Sequence, residues 1–469
     1  MIDWRKINLW ALNSKHVTSK GKNFLCMQAP NGSETNVTHV PNSHILHAQI
    51  MINRGHSDDP VDFPGAHHMI EHLLSNRLVN GDNQHFDNIG RRGGQMDASV
   101  NNDEMHFIVQ IKNTRFNREF FLARLQEAFL APSFDETSIA REIETLANEN
   151  LLTVHAPYIF DEAFAAAVGH TYPSLKSSTA FPTGHDARAE RLYEVFQRSI
   201  TGDTISVGVQ ANSPPPGFNG RLCDIFAALP KGTTSRQKSS PSFMPGYVHR
   251  QKLDDNLCFL SMAHPFAATE HGGDTERETD VRMLTDYVYT RLMDKLRAEG
   301  NGKIYTPFCT TQDFGDTRIA LFGTSFKPEH GKEVADVMAN IRQELENGKL
   351  DKHALKHARG KEEQRILENL DNRTSTVSAL SRLMPFTRNI NYWTEKFSAF
   401  WQKQALNKDR ILNAWNEHLN TNQCALFTSG NTAELGKAES FINLRAFAER
   451  AQTTPESDRK KEPTVPKMP

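Results

Sequence analysis

The spacing of apolar positions changes period repeatedly along this chain, and each change marks an element. Alternation by two predicts a strand from His44 to Asn53, and a 3.6-residue period then predicts an apolar-faced helix from Pro64 to Leu78. A strand from Met105 to Lys112 follows, then helices from Arg118 to Leu130 and Glu136 to Leu152, and a strand from Thr204 to Gln210. The second half repeats this order. A strand from Leu257 to Ala263 leads into a long helix from Glu276 to Glu299; strands at Lys303 to Thr311 and Arg318 to Ser325 precede helices at Pro328 to Leu345 and Asp351 to Glu368. A last strand runs from Gln423 to Thr428.

Repetition of the same order predicts an α+β fold of two tandem homologous domains, each a mostly antiparallel sheet with helices packed on one face. At 469 residues the chain exceeds what one core usually organises, which agrees with two domains. The boundary is expected in Asn212 to Tyr247, where Ser213-Pro214-Pro215-Pro216-Gly217 and Lys231-Gly232-Thr233-Thr234-Ser235 flank a short helix. The expected division is 1–212, a linker at 213–247, 248–450, and a tail at 451–469. Thr453 to Pro469 is polar, charged and proline-rich, and is expected to be disordered.

Composition narrows the function. With 54 basic and 56 acidic residues the net charge is -2, so the chain lacks the field that gathers phosphate backbones, and nucleic acid is not an expected partner. No uncharged apolar run approaches the roughly eighteen residues of a membrane span, and Met1 to Lys20 lacks the order of a secretory signal. No membrane association and a cytoplasmic location are therefore expected. The five cysteines are dispersed and form no Cys-x-x-Cys pair, as expected of buried, reduced thiols.

One string carries chemistry. Within Gly65-Ala66-His67-His68-Met69-Ile70-Glu71-His72, residues His68, Glu71 and His72 spell H-x-x-E-H. Positions four apart share a helix face, so His68 and His72 can present two imidazoles to one ion, while Glu71 can take a proton from an attacking water without ligating. His67 points about 100° away and is not expected to be a ligand. A catalytic zinc usually takes a third protein ligand, and Glu142 and Glu149, seven apart on the helix predicted from Glu136, lie at nearly one azimuth. One could ligate while the other orients a ligating imidazole. The same residue types also occur as a solvated polar helix face, so spacing alone leaves both readings open.

H-x-x-E-H with Glu149 standing 77 positions after His72, and Glu142 seven earlier, resembles the pitrilysin/insulinase family of zinc peptidases. Arg54-Gly55-His56 before the motif, Pro64-Gly65-Ala66 entering it, and Gly93-Gly94-Gln95-Met96-Asp97-Ala98-Ser99 before Asp103-Glu104-Met105-His106-Phe107 are similar to the family as well. The resemblance covers roughly residues 40–330. It implies one Zn2+ per chain held by His68, His72 and Glu149, with Glu71 as general base and Glu142 orienting a ligand from behind. It also implies that an arginine and a tyrosine of the later domain support the scissile carbonyl, matched here by Arg297 and Tyr305, eight apart where the family usually shows seven. Ala98 and Ser99 would lie on the strand that pairs with substrate; Asp97 stands where the family often has asparagine, and a carboxylate cannot donate as an amide does.

The resemblance implies a zinc endopeptidase that closes two domains over a peptide or unfolded segment inside a chamber. It further implies a homodimer, or a heterodimer with a related subunit. Two alternatives are a maturation protease for one small precursor peptide, and a non-catalytic scaffold of the same fold. The complete set His68, Glu71, His72 and Glu149 argues against the scaffold.

Overall fold

In the computed structural model the described residues are 15–453, apart from 20–21, 41, 61, 81–88, 133, 154–156, 169–188, 213–216, 233–241, 251–256, 268–274, 299–302, 315–316, 372–406 and 420–421. The disordered tail expected at 451–469 lies outside them from residue 454 onward.

Two sheets organise the described residues. The first holds β1 (Lys15–Ser19), β2 (Lys22–Gln28), β3 (Glu34–His39), β4 (Ile45–Ile52), β5 (Gln95–Val100), β6 (Met105–Lys112) and β7 (Ile205–Ala211), in the order β1-β2-β3-β7-β4-β6-β5. The second holds β8 (Gly246–Arg250), β9 (Cys258–Ala267), β10 (Ile304–Phe314), β11 (Thr317–Phe326) and β12 (Ala425–Ser429), in the order β10-β11-β9-β12-β8. Among the described residues only β3–β7 and β12–β8 pair in parallel, and every other pairing is antiparallel. Strands β3-β7-β4-β6-β5 and β8-β12-β9-β11-β10 therefore repeat one topology. The α+β reading with two sheet-and-helix units holds, and β5 and β10 are the matching edge strands of the two repeats.

Strand alternation explains the first core. Leu46, Ala48, Ile50 and Ile52 of β4 and Val207 and Val209 of β7 face the helices. These are α1 (Ala66–Asn80), α2 (Arg115–Leu130) and α3 (Glu136–Thr153). After α4 (Pro157–Val168), α5 (Ala189–Ser199) and α6 (Phe218–Ala227) join the same layer; α6, inside the expected linker, gives Phe218, Leu222 and Phe226 to this core. The reverse face of β3, β7 and β4 is buried but polar: Asn36, Thr38, Ser206, Gln210, His47 and Gln49. That polarity hid β3, because Glu34–His39 alternates little in hydrophobicity while most of it is buried.

The second sheet packs one face on α7 (Thr275–Leu292), α8 (Gly331–Glu346) and α9 (Lys352–Asp371), through residues such as Leu260, Phe322, Leu284 and Ile341. Its other face is covered by α4 of the first half: Phe164 to Val168 meet Phe259, Ile319, Leu321 and Phe427. The long helix expected from Glu276 breaks after Leu292 into a π-helical turn, Met293–Ala298, which carries Arg297. Five-residue bonding in such a turn rotates the residues beyond it relative to a continued α-helix. Among the described residues no helix is long and apolar enough to cross a membrane.

Candidate metal centre

The site begins with how α1 is started. Gly65 has φ +82°, in the left-handed region that favours glycine, and the Asp59 carboxylate caps the helix behind it. Asp59 Oδ2 accepts the Gly65 amide at 2.8 Å, and Oδ1 accepts the His67 amide at 2.9 Å. Asp59 is held in place by the 3-10 turn His56–Asp58. Gly55 precedes that turn against the β5–β6 connection, where a Cβ would overlap the Asn101 carbonyl oxygen. His56 N–H donates to Asn101 O at 3.0 Å and Ser57 N–H to Asn102 O at 2.8 Å, tying this turn to the sheet edge.

On α1 the i, i+3, i+4 spacing brings three side chains to one face. Potential ligand atoms of His68, Glu71 and His72 all lie within 4.8 Å of one another. The His68 and His72 rings have centroids 4.9 Å apart at 73°. Two nitrogens bound to one zinc at about 2.0–2.1 Å stand about 3.4 Å apart, so the donor set fits such an ion after small side-chain adjustment. His68 is pushed down to about 3, first by burial and then by His72 and His56, with Asp59 opposing; it is held as the neutral imidazole a metal requires.

Glu142 of α3 reaches the far side of His72. Its Oε2 accepts from His72 Nδ1 at 3.1 Å, and its Oε1 accepts from Asn76 Nδ2 at 2.7 Å and Arg141 Nε at 3.2 Å. Burial pushes the Glu142 carboxyl up, but the bonds from His72 and Arg141 outweigh it and leave the group below its usual range. An anionic acceptor at Nδ1 keeps the proton on that nitrogen and leaves Nε2 for a metal. Glu71 is buried; Ser75 Oγ donates to its Oε1 at 2.9 Å, and its Oε2 lies 3.8 Å from His72 Nε2.

The remaining residues singled out in the sequence are placed less closely. Glu149 sits on α3 two turns beyond Glu142, and its side chain lies outside the described residues. Arg297 is exposed on the π-helical turn; Tyr305 is in edge strand β10, its side chain also outside the described residues. Ala98 packs against the first core from β5, and Ser99 Oγ lies 2.9 Å from His106 Nε2. Asp97 is exposed on β5, the strand at the end of its sheet.

Sequence reasoning passed over His56 as mere flanking context. It is buried, with its ring edge-on to His68 at a centroid distance of 5.9 Å and 89°. Burial, chiefly, pushes it down to about 4. No periodicity links residue 56 to α1; only the close approach allowed by Gly55 pointed to it.

Residues 36–171 match the family model of the insulinase-type peptidases, peptidase family M16. Coenzyme PQQ synthesis protein F of Pseudomonas aeruginosa is 25% identical over 188 residues, 39% of this chain and 23% of that protein, so the matched part is under a quarter of the relative's length. A peptidase M16 inactive domain from Pseudomonas fluorescens has the same fold, with TM-score 0.70 and 18% identity over 88% of this chain and 98% of that one. The first half of the periplasmic protease PqqL from Escherichia coli gives TM-score 0.65 and 14% identity over 92% of this chain and 97% of that one. At such identities the structures speak for fold alone. The matched segment contains α1 and α3, the helices that build the histidine–glutamate cluster, and over residues 36–171 the chain is similar to the insulinase-type peptidases.

Proposed function

We propose that this chain is a zinc-dependent endopeptidase acting on peptides or unfolded segments. The observation that carries the reading is the convergence of His68, Glu71 and His72 on one face of α1, with Glu142 on the outward nitrogen of His72. Glu149 is assigned as third ligand from its position on α3. A zinc ion bound there would supply Lewis-acid polarisation of water and carbonyl. Glu71, desolvated and aimed by Ser75, takes the proton of the attacking water and delivers it to the leaving amine. An extended peptide adds to edge strand β5 through main-chain hydrogen bonds beside Ala98 and Ser99. Arg297 and Tyr305 of the second repeat are assigned to the developing oxyanion. Enclosure of substrate in a chamber, and pairing as a homodimer or with a related subunit, belong to the same proposal.

A second reading, maturation of one small precursor peptide, is favoured by the similarity to a coenzyme PQQ synthesis protein. A peptide library separates the two: broad cleavage supports the general peptidase, one narrow motif the maturation enzyme. The general test is Glu71→Gln. Peptide turnover is expected to fall by at least about a hundredfold with zinc content unchanged. Retained turnover in zinc-loaded Glu71→Gln protein would remove Glu71 as the base.

A further inference from the structure

We propose that Asp59, His67 and Ser199 form a buried positioning array that fixes the rotation of α1 and so aims His68 at the metal; the inference rests on the reading of His68 and His72 as ligands. His67 lies beside His68 in sequence but faces the interior. Its Nδ1 is 2.6 Å from Asp59 Oδ1 and its Nε2 is 2.9 Å from Ser199 Oγ. With Nδ1–H donating to the carboxylate, Nε2 accepts from the Ser199 hydroxyl.

All three residues are buried, so water does not compete for these bonds. Asp59 meets the first turn of α1 at three atoms, the Gly65 amide, the His67 amide and the His67 ring. Ser199 closes α5, and its carbonyl accepts from Thr204 Oγ1 at 2.8 Å, immediately before β7. The array thus runs from the 56–58 turn through α1 and α5 to the first sheet. At the other end of the histidine pair, Glu142 grips His72 and Asn76 from α3. The ligand-bearing turn lies between two directional anchors.

Apolar packing sets how deep a helix sits, but it tolerates rotation better than a hydrogen bond does. A ligating nitrogen about 6–7 Å from the helix axis moves about 1 Å for a 10° rotation, well beyond the ±0.2 Å spread of metal–ligand distances. Holding α1 against that rotation is the function assigned to His67, which takes no part in ligation itself.

The test compares His67→Phe, His67→Asn and Ser199→Ala with Leu125→Ala, a cavity in α2 of the same core and outside the array. Zinc affinity by chelator competition, the ligand-field spectrum of cobalt(II)-substituted protein and Tm are read on each. His67→Phe, which keeps bulk and loses both bonds, is expected to weaken zinc binding about tenfold and alter the cobalt spectrum. Ser199→Ala should weaken it about threefold, and His67→Asn, retaining a donor toward Asp59, should recover part of the loss. Leu125→Ala should lower Tm at least as far with affinity and spectrum unchanged. If His67→Phe does not fold, Ser199→Ala and His67→Asn carry the comparison. Parent-like affinity in the array variants, or an equal loss in Leu125→Ala, would overturn the proposal while leaving the peptidase reading standing. A parent protein that binds no zinc would remove both.

Discussion

Glu142→Ala tests how far the proposed metal centre depends on a residue that is assigned no contact with the ion. The carboxylate accepts three hydrogen bonds, from His72 Nδ1 at 3.1 Å, Asn76 Nδ2 at 2.7 Å and Arg141 Nε at 3.2 Å. Two of the three come from α1, so the substitution cuts this polar tie between α1 and α3 and frees the His72 ring. Bonds to a charged acceptor contribute about 1.5–3 kcal/mol each, but His72 is half-buried and water can take over at its Nδ1. A net loss of about 1.4–2.7 kcal/mol in metal binding remains, which is about tenfold to a hundredfold in Kd. Glu142→Gln should fall between parent and Ala, because its amide oxygen can face His72 while Asn76 turns to accept from its NH2. Chelator competition at constant pH reads all three proteins. Glu142→Ala protein that is folded and binds zinc as tightly as the parent would refute the orienting role. So would a Gln variant weaker than Ala.

Other contacts give further outcomes. His47 is buried, and burial pushes it down to about 4, so between about 6.5 and about 4 the unfolded chain binds a proton the folded one excludes. Stability should therefore fall as pH drops through that window, by about 3 kcal/mol from this residue, and level off below it. In urea titrations of metal-free protein, the His47→Gln acid limb should be flatter than the parent's; parallel limbs would contradict this. Ser75→Ala removes the donor to Glu71 Oε1, and kcat should fall about threefold to tenfold with KM little changed, as steady-state kinetics would show. Gly55→Ala forces a Cβ onto the Asn101 carbonyl oxygen and should cost about 1–3 kcal/mol in denaturant unfolding.

What the sequence could disclose divides by range. The H-x-x-E-H face is a local property of one helix, so three residue types at fixed spacing sufficed to bring His68, Glu71 and His72 together, while the choice of a metal site over a polar face rested on the resemblance. Glu142 needed helical arithmetic plus a resemblance, since nothing local ties α3 to α1. His56 and the His67–Ser199 contact depend on a glycine-tight approach and on a residue 132 positions away, neither of which leaves a periodic trace. Core strands β4, β6 and β7 were legible because they alternate around apolar residues on the helix-facing side. Strand β3 was not, because its reverse face is buried and polar, and α4 gave no sign that it would cover the other half's sheet. The break of α7 into a π-helical turn was equally silent, as hydrophobic spacing continues across it.

The most direct measurement is zinc stoichiometry by elemental analysis, on the purified parent and on Glu149→Ala, alongside cleavage of an unfolded peptide. One zinc per chain with turnover in the parent, and loss of both in a folded Glu149→Ala protein, is the expected result. A parent that carries no zinc after exposure to the ion, or a Glu149→Ala protein that keeps its zinc and its activity, would contradict the assigned centre.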